Sequence, residues 1–326
     1  MHAAHVLWTA PMRSLGPKLR FTFAPIERLI LATSILLWKA HSGPITLYTD
    51  RTGHALLELW GLLELYSTID TNVLETSSEG IEAGVFWDIG KTLVLAKCPL
   101  PIVLLDLDMI VWRPLQTSAP VQFFHWEELQ EPWYPPLSKL AKPANYAFPS
   151  FDESIRPANT ALLYIEDAGF RDLFVRESLA YAIGNNPSHP SPLSLAAFLF
   201  SGQRLFTLTG AKGPWAMEAF VPYVFRQEAV GEWIGSAQSE GDPLDPFLFQ
   251  TGWPYMHLWS FKHELREDAA AATQFAEKLL SHVADVAPSL LAPLRAIWAA
   301  QSGNTAVNGQ LTEDEKRILF GHDQSL

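Results

Sequence analysis

Apolar positions along the first two hundred residues switch between strand-length runs and helical spacing, and the switching predicts the elements. Residues 5–10 read as a short buried strand closed by Pro11. After Pro25, which is placed to start a helix, Ile26, Leu29, Ile30, Thr33, Leu36, Leu37 and Ala40 recur at helical spacing until Gly43-Pro44 stops it. Residues 45–49 form a second strand, and residues 52–66 a second helix with Leu56, Leu59, Trp60 and Leu63 on one face. This βαβ order predicts a mostly parallel sheet covered on both faces. A third helix spans residues 85–97 and ends at Cys98-Pro99. Ile102, Val103, Leu104 and Leu105 are apolar without alternation, as a central strand buried on both faces requires. Residues 121–125, 160–165 and 204–209 read as further strands, and residues 170–183 and 193–200 as helices. From about His263 the chain becomes an Ala-rich helical region, and Thr312 and Glu315 have capping-box spacing for a last helix. The pattern therefore predicts an α/β fold, a sheet flanked by helices, with a helical C-terminal extension.

Asp106 and Asp108 follow the central strand directly. Strand alternation points both the same way and sends Leu107 into the core. Two such carboxylates repel each other and are costly to desolvate unless a cation lies between them. Open α/β sheets bind ligands at this carboxyl edge, so the expected occupant is a hard divalent ion, Mg²⁺ or Mn²⁺. The competing reading is a strand that merely ends at the surface in two acidic residues.

Composition narrows the classes. A chain with 48% hydrophobic residues has enough surface to bury to fold. Acidic residues outnumber Lys and Arg by 35 to 23, for a net charge of −12, and no basic run stands out. Nucleic acid and anionic membrane are poor partners for such a chain, whereas an anionic small molecule is compatible with it if a divalent metal reverses the local sign. Cys98 is the only cysteine, so it reads as a buried small hydrophobe, with no intrachain disulfide or Cys-based zinc site. MHAAHVLWTAP lacks the pattern of a secretory signal. The longest apolar stretch, residues 29–38, is shorter than the roughly 20 residues that span a bilayer. A soluble, cytoplasmic protein is expected.

The segment PIVLLDLDMIVWRPL resembles the DxD segment of GT-A glycosyltransferases, especially the glycogenin-like family and the capsular-polysaccharide and α-mannosyltransferase family. The resemblance implies a GT-A domain over residues 1–262 and a helical extension over 263–326. It implies metal-dependent transfer of a sugar, with retention, from a nucleotide-sugar (UDP- or GDP-linked) to a hydroxyl of a saccharide or other acceptor. Asp108 would be the direct metal ligand, and Asp106 would contact the metal or the ribose. Arg113-Pro114-Leu115 matches the residues that often follow. Asp88 and Lys91 fit the donor-facing acidic and basic positions of the preceding helix, against the alternative of a surface i,i+3 ion pair. Asn159, in RPANTALLYI, would lie beside the donor sugar or the acceptor. His257, in WPYMHLWSFKHE, would complete the metal site, against the alternative of a hydrogen-bonded core histidine. Lys262 stands near the family's phosphate-gripping lysine, five positions after His257 instead of six, with His263 at the sixth. Gly213-Pro214 in LTGAKGP weakly matches a late Thr-Gly-Pro.

One departure matters. The Asp-Gln pair of glycogenin-like enzymes is missing from SHPSPLSLAAFLF, which leaves the group beside the anomeric carbon unidentified. Among the twelve tryptophans, Trp126, Trp133 and Trp259 lie nearest the motifs as platforms for sugar rings. Two rival functions remain. A haloacid-dehalogenase-type phosphatase also places D-x-D after four apolar residues; GDPLD at residues 241–245 resembles its later acidic motif, and Thr209 and Lys212 could be fitted to its middle motifs. Ile110, the long βα region before the motif and the polar SAQSE before GDPLD count against it. The other rival is a non-catalytic nucleotide-sugar-binding protein.

Overall fold

The computed structural model describes residues 1–14, 23–186, 192–225, 254–258, 261–303 and 311–321. Its larger sheet is assembled from β1 (Ala3–Leu7), β2 (Ile45–Thr49), β3 (Thr68–Asp70), β4 (Ile102–Leu105), β6 (Val121–Glu127), β7 (Ala158–Ile165) and β8 (Met217–Phe225). The order is β3-β2-β1-β4-β7-β6-β8. Every neighbouring pair is parallel except those made by β7, which runs against both β4 and β6. The predicted α/β fold, a mostly parallel sheet flanked by helices, is thus observed.

Alternate residues of the central strands enter opposite cores, as the unalternating pattern requires. Ala3, Leu7, Val103 and Leu105 pack toward α2 (Pro25–His41). Ala4, Ile102 and Leu104 pack toward α5 (Ile89–Leu95) and α6 (Ala168–Ala182). Three shorter helices, α1 (Ala10–Ser14), α3 (Arg51–Leu59) and α4 (Asn72–Thr76), connect the early strands. After α6 come α7 (Pro192–Leu199), a π-helical segment (Phe200–Arg204) and α8 (Leu205–Gly210). The chain ends in α9 (Phe261–Glu267), α10 (Ala269–Val286), α11 (Leu291–Gly303) and α12 (Glu313–Phe320).

The C-terminal helices share the core on the α2 side, where α10 buries Phe275, Ala276, Leu279, Leu280 and Val283. Helix α9 runs through residues 262 and 263 without a break. The capping box at Thr312 and Glu315 forms as predicted. Buried Glu315 also accepts from Arg28 and from Trp60 Nε1 (2.8 Å), tying α12 to α2 and to the end of α3. No helix among the described residues is long and apolar enough to cross a membrane.

Several predicted bounds differ. The first strand occupies Ala3–Leu7, because Thr9 turns away to donate its N–H and hydroxyl to Asp50, the N-cap of α3. The second helix stops at Leu59, where Gly61 takes a φ of +67° before a 3₁₀ turn at Leu63–Leu65, and Leu59 is exposed instead of buried. The third helix is regular only over Ile89–Leu95. Residues 204–209, read as a strand, are helical. They continue the π-helical segment with every side chain buried, so no polar face betrays the period, and Thr207 Oγ1 donates to Arg204 O within the helix.

Candidate functional site

The site begins where β4 ends. Asp106 N–H donates to Ala161 O of β7 (2.8 Å), and Met109 N–H donates back to Asp106 O (3.0 Å), closing a tight turn over residues 106–109. This turn, instead of strand pleating, brings the Asp106 and Asp108 carboxylates together, while Leu107 packs partly buried against the α2-side core. The chain then enters β5 (Met109–Val111), which pairs antiparallel with β9 (Tyr255–His257) and sets Met109 opposite His257. A two-stranded ribbon thus delivers His257 to the aspartates across a long stretch of sequence. Ser34 of α2 anchors the ribbon by donating to Met109 O (2.6 Å).

His257 Nε2 lies 3.4 Å from Asp108 Oδ1 and 3.8 Å from Asp106 Oδ2. The ligand atoms of the three residues fall within 4.8 Å of one another. An ion bound at about 2.0–2.6 Å separates its ligands by roughly 3–5 Å, so the set fits a single divalent ion. Two carboxylate oxygens and an imidazole suit Mn²⁺, and Mg²⁺ less well.

Two lysines flank the acidic pair. Lys91 Nζ, reaching from α5, contacts Asp88 Oδ1 (3.0 Å) and Asp106 Oδ1, and donates to Thr160 O (3.3 Å). The Asp88 and Lys91 side chains are only 10% and 14% exposed, so this is no solvated surface pair. Burial pushes the Asp88 carboxyl up to about 6, with Lys91 opposing the shift and Asp106 adding to it. Burial disfavours the Lys91 ammonium, but Asp106 and Asp88 outweigh it and raise its pKa. From α9, Lys262 Nζ donates to Asp108 Oδ2 (3.1 Å). Burial acts against the Lys262 charge, yet Asp108 raises its pKa. Burial likewise acts to raise Asp108, but His257 and Lys262 hold its carboxyl well below the usual carboxylate range. Arg266, one helical turn on, forms a two-pronged pair with Glu27 of α2 (2.7 Å for each bond), which fixes the helix that carries Lys262.

Asn159 lies one step further along the same edge. It is buried, its Oδ1 accepts from Ala161 N–H (3.0 Å), and its Nδ2 donates to Glu127 Oε1 (2.8 Å). Glu127 is the last residue of β6, at the carboxyl edge that Asp106 also occupies, and sequence reasoning passed over it. Its Oε2 accepts from Tyr134 Oη (2.6 Å), and that hydroxyl also meets Gln203 of the π-helical segment. Gly202, next to Gln203, lets that segment approach Asp88. A Cβ there would stand 2.7 Å from Asp88 Oδ2. A strand-terminal acid at the ligand-binding edge was the available signal for Glu127. Nothing in the spacing could have joined it to Gln203.

The structure therefore gathers Asp88, Lys91, Asp106, Asp108, His257 and Lys262 into one cluster, with Asn159 bridged to it through Ala161. The tryptophans divide differently. Trp126 is half-buried with its ring edge-on to Phe123, and Trp133 is half-buried. Trp259, like the GDPLD of residues 241–245, lies outside the described residues. Trp87, not singled out from sequence, is 51% exposed beside Asp88 and stacks on Phe198 at 4.0 Å. Lys212 rests over the ring of Phe151, and Thr209 is buried in α8.

No protein-family model and no curated protein matches the sequence. Among solved structures, the chain is similar to the PaToxG glycosyltransferase, with 11% identity and a TM-score of 0.36 over 98% of this chain and 83% of that one. It is also similar to the apo form of mouse xyloside xylosyltransferase 1, with 10% identity and a TM-score of 0.34 over 78% of this chain and 96% of that one.

Proposed function

We propose that the protein is a metal-dependent glycosyltransferase of the GT-A type, moving a sugar from a UDP- or GDP-linked donor to a hydroxyl of a saccharide or other acceptor with retention. One observation carries this reading: Asp106, Asp108 and His257 converge at the carboxyl edge of a mostly parallel sheet, between Lys91 and Lys262. That edge is where open α/β sheets take nucleotides.

In this reading Asp108, Asp106 and His257 would hold Mn²⁺, with Mg²⁺ the poorer fit, and the bound ion would neutralise charge on the donor diphosphate. Lys262, carried on α9, contacts the diphosphate and stabilises the charge that builds on the leaving group. Lys91 holds Asp106 and Asp88 in place, and Asp88 faces the sugar. Asn159 binds the sugar or the acceptor. Residues 1–262 form the catalytic domain, and the helices of residues 263–326 buttress its α2 side. The imidazole among the ligands disfavours the phosphatase reading, since magnesium sites prefer all-oxygen donor sets.

The test is calorimetry of UDP and GDP binding with and without Mn²⁺. Binding is expected to require the metal, and Asp108→Ala should weaken it by about a hundredfold or more with the fold intact. Metal-independent binding, or an unchanged affinity in Asp108→Ala, would remove Asp108 from the site.

A further inference from the structure

Transfer with retention through two displacements needs a carboxylate at the anomeric carbon, ionised, oriented and free of the metal. Resting on the glycosyl-transfer reading above, the search reduces to the carboxylates at the carboxyl edge of the sheet. Asp106 and Asp108 belong to the metal cluster. Asp88 is paired with Lys91, and Asp70 lies at the end of the edge strand β3, three strands from β4, with Oδ1 accepting from Asn72 and Val73 N–H. Asp50 is fully engaged, accepting from Thr9 N–H (2.9 Å), Thr9 Oγ1 (2.7 Å) and Gly53 N–H (2.8 Å), with Arg13 3.5 Å away. Glu127 differs from all of these. Both its oxygens accept from neutral donors, Asn159 Nδ2 at 2.8 Å and Tyr134 Oη at 2.6 Å. No lysine or arginine is paired with it among the described residues.

We propose that Glu127 is the catalytic nucleophile of the transfer. Its partners come from three separate elements: β7 supplies Asn159, the loop after β6 supplies Tyr134, and the π-helical segment supplies Gln203 behind the tyrosine. Asn159 and Tyr134 are both buried, so these bonds fix the carboxylate in one orientation. The lack of a cationic partner leaves its charge to act on the positive charge that develops at the anomeric carbon. Each oxygen keeps a second lone pair for that carbon. The position fits as well. β4 and β6 run in the same direction with β7 between them; Asp106 N–H bonds Ala161 O, Glu127 N–H bonds Pro157 O, and the Glu127 carboxylate reaches Asn159, two residues from Ala161. Asn159 thus links the Glu127 carboxylate to the stretch of β7 that Asp106 also bonds, on the side where the donor sugar would lie in the proposed function. π-Helical segments recur at functional sites, and this one touches Asp88 at Gly202 and Tyr134 at Gln203.

In the first displacement a Glu127 Oε–C1 bond forms as the bond from C1 to the diphosphate oxygen breaks, and the electron pair leaves on the diphosphate. In the second, the acceptor oxygen attacks C1, the ester bond breaks and returns its pair to Glu127, and the acceptor proton passes to the diphosphate. The sugar inverts twice and its configuration is retained.

The experiment measures nucleoside diphosphate release from a panel of UDP- and GDP-hexoses with Mn²⁺. In Glu127→Gln, release should fall by about 10³-fold or more while donor affinity by calorimetry stays within about threefold. Glu127→Ala with sodium azide should regain turnover and yield a glycosyl azide of configuration opposite to the donor. Tyr134→Phe, which keeps the shape but removes one donor to Glu127, should lower kcat by about tenfold and leave donor affinity alone. Turnover in Glu127→Gln within about tenfold of wild type overturns the proposal, as does failure of azide to restore Glu127→Ala. Loss of donor binding together with turnover would make Glu127 a binding residue and overturn it too. If the wild type releases no nucleotide from any donor, the glycosyl-transfer reading fails first. A wild type that turns over alongside an active Glu127→Gln sinks only the present inference.

Discussion

At Gly202 the absence of a side chain decides how closely the π-helical segment approaches Asp88. Adding a methyl group 2.7 Å from Asp88 Oδ2 forces that carboxylate, or the backbone beside it, to move. Gly202→Ala should therefore weaken donor binding by about tenfold, in line with overpacking costs of about 1–3 kcal/mol, and calorimetry would show it. An unchanged affinity would separate the segment from the site. Two buried histidines give a second test at this scale. Burial holds His5 and His125 down to about 3, against the ordinary 6.5, with Asp108 opposing the shift at His5. Below pH 6.5 the unfolded chain takes up a proton at each histidine that the folded chain refuses until about pH 3, so stability falls as pH drops through that window. At pH 5 each histidine costs about 2 kcal/mol. Urea midpoints should drop between pH 7 and pH 5, and His5→Gln should flatten the drop. An equal slope in the variant would contradict the assignment. Sequence alone could name Asp106, Asp108 and His257 because each sits in a recognisable segment. Glu127 stayed hidden because its partners Asn159 and Tyr134, and Gln203 behind the tyrosine, come together only after folding.

Elements carry the site by register and by buried charge. The β5–β9 ribbon aligns Met109 with His257, and α9 brings Lys262 to Asp108 while Arg266 grips Glu27. Far from the cluster, α12 is fastened by Glu315, which receives Arg28 and Trp60. Glu315→Ala leaves Arg28 buried without its carboxylate and should cost about 3–5 kcal/mol in urea unfolding. A loss below about 1 kcal/mol would mean that α12 is only loosely attached. Most elements were legible. The βα alternation, the unalternating run Ile102–Leu105 and the capping box of α12 follow from period and caps. Residues 204–209 were misread because a segment buried on every side has lost the polar face that distinguishes a helix from a strand. The turn at Asp106–Met109 was also invisible, since a strand ending and a tight turn both place alternate aspartates together.

On the scale of the whole molecule, a net charge of −12 coexists with a cluster in which lysines and a histidine surround two aspartates. The acidity therefore argues against nucleic acid without excluding a diphosphate. The two cores divide the labour. One packs α5, α6 and the π-helical segment behind Asp88, Lys91 and Glu127, and the other packs α2 and the C-terminal helices behind the ribbon that carries His257. A donor between them would draw ligands from both, which is the arrangement the proposed function requires. The most direct measurement is nucleoside diphosphate release from a panel of UDP- and GDP-sugars with Mn²⁺, run beside a generic phosphatase substrate. The account predicts Mn²⁺-dependent release from at least one nucleotide-sugar, abolished by a chelator, and no phosphatase turnover. Turnover of the phosphatase substrate with every nucleotide-sugar left intact would contradict it.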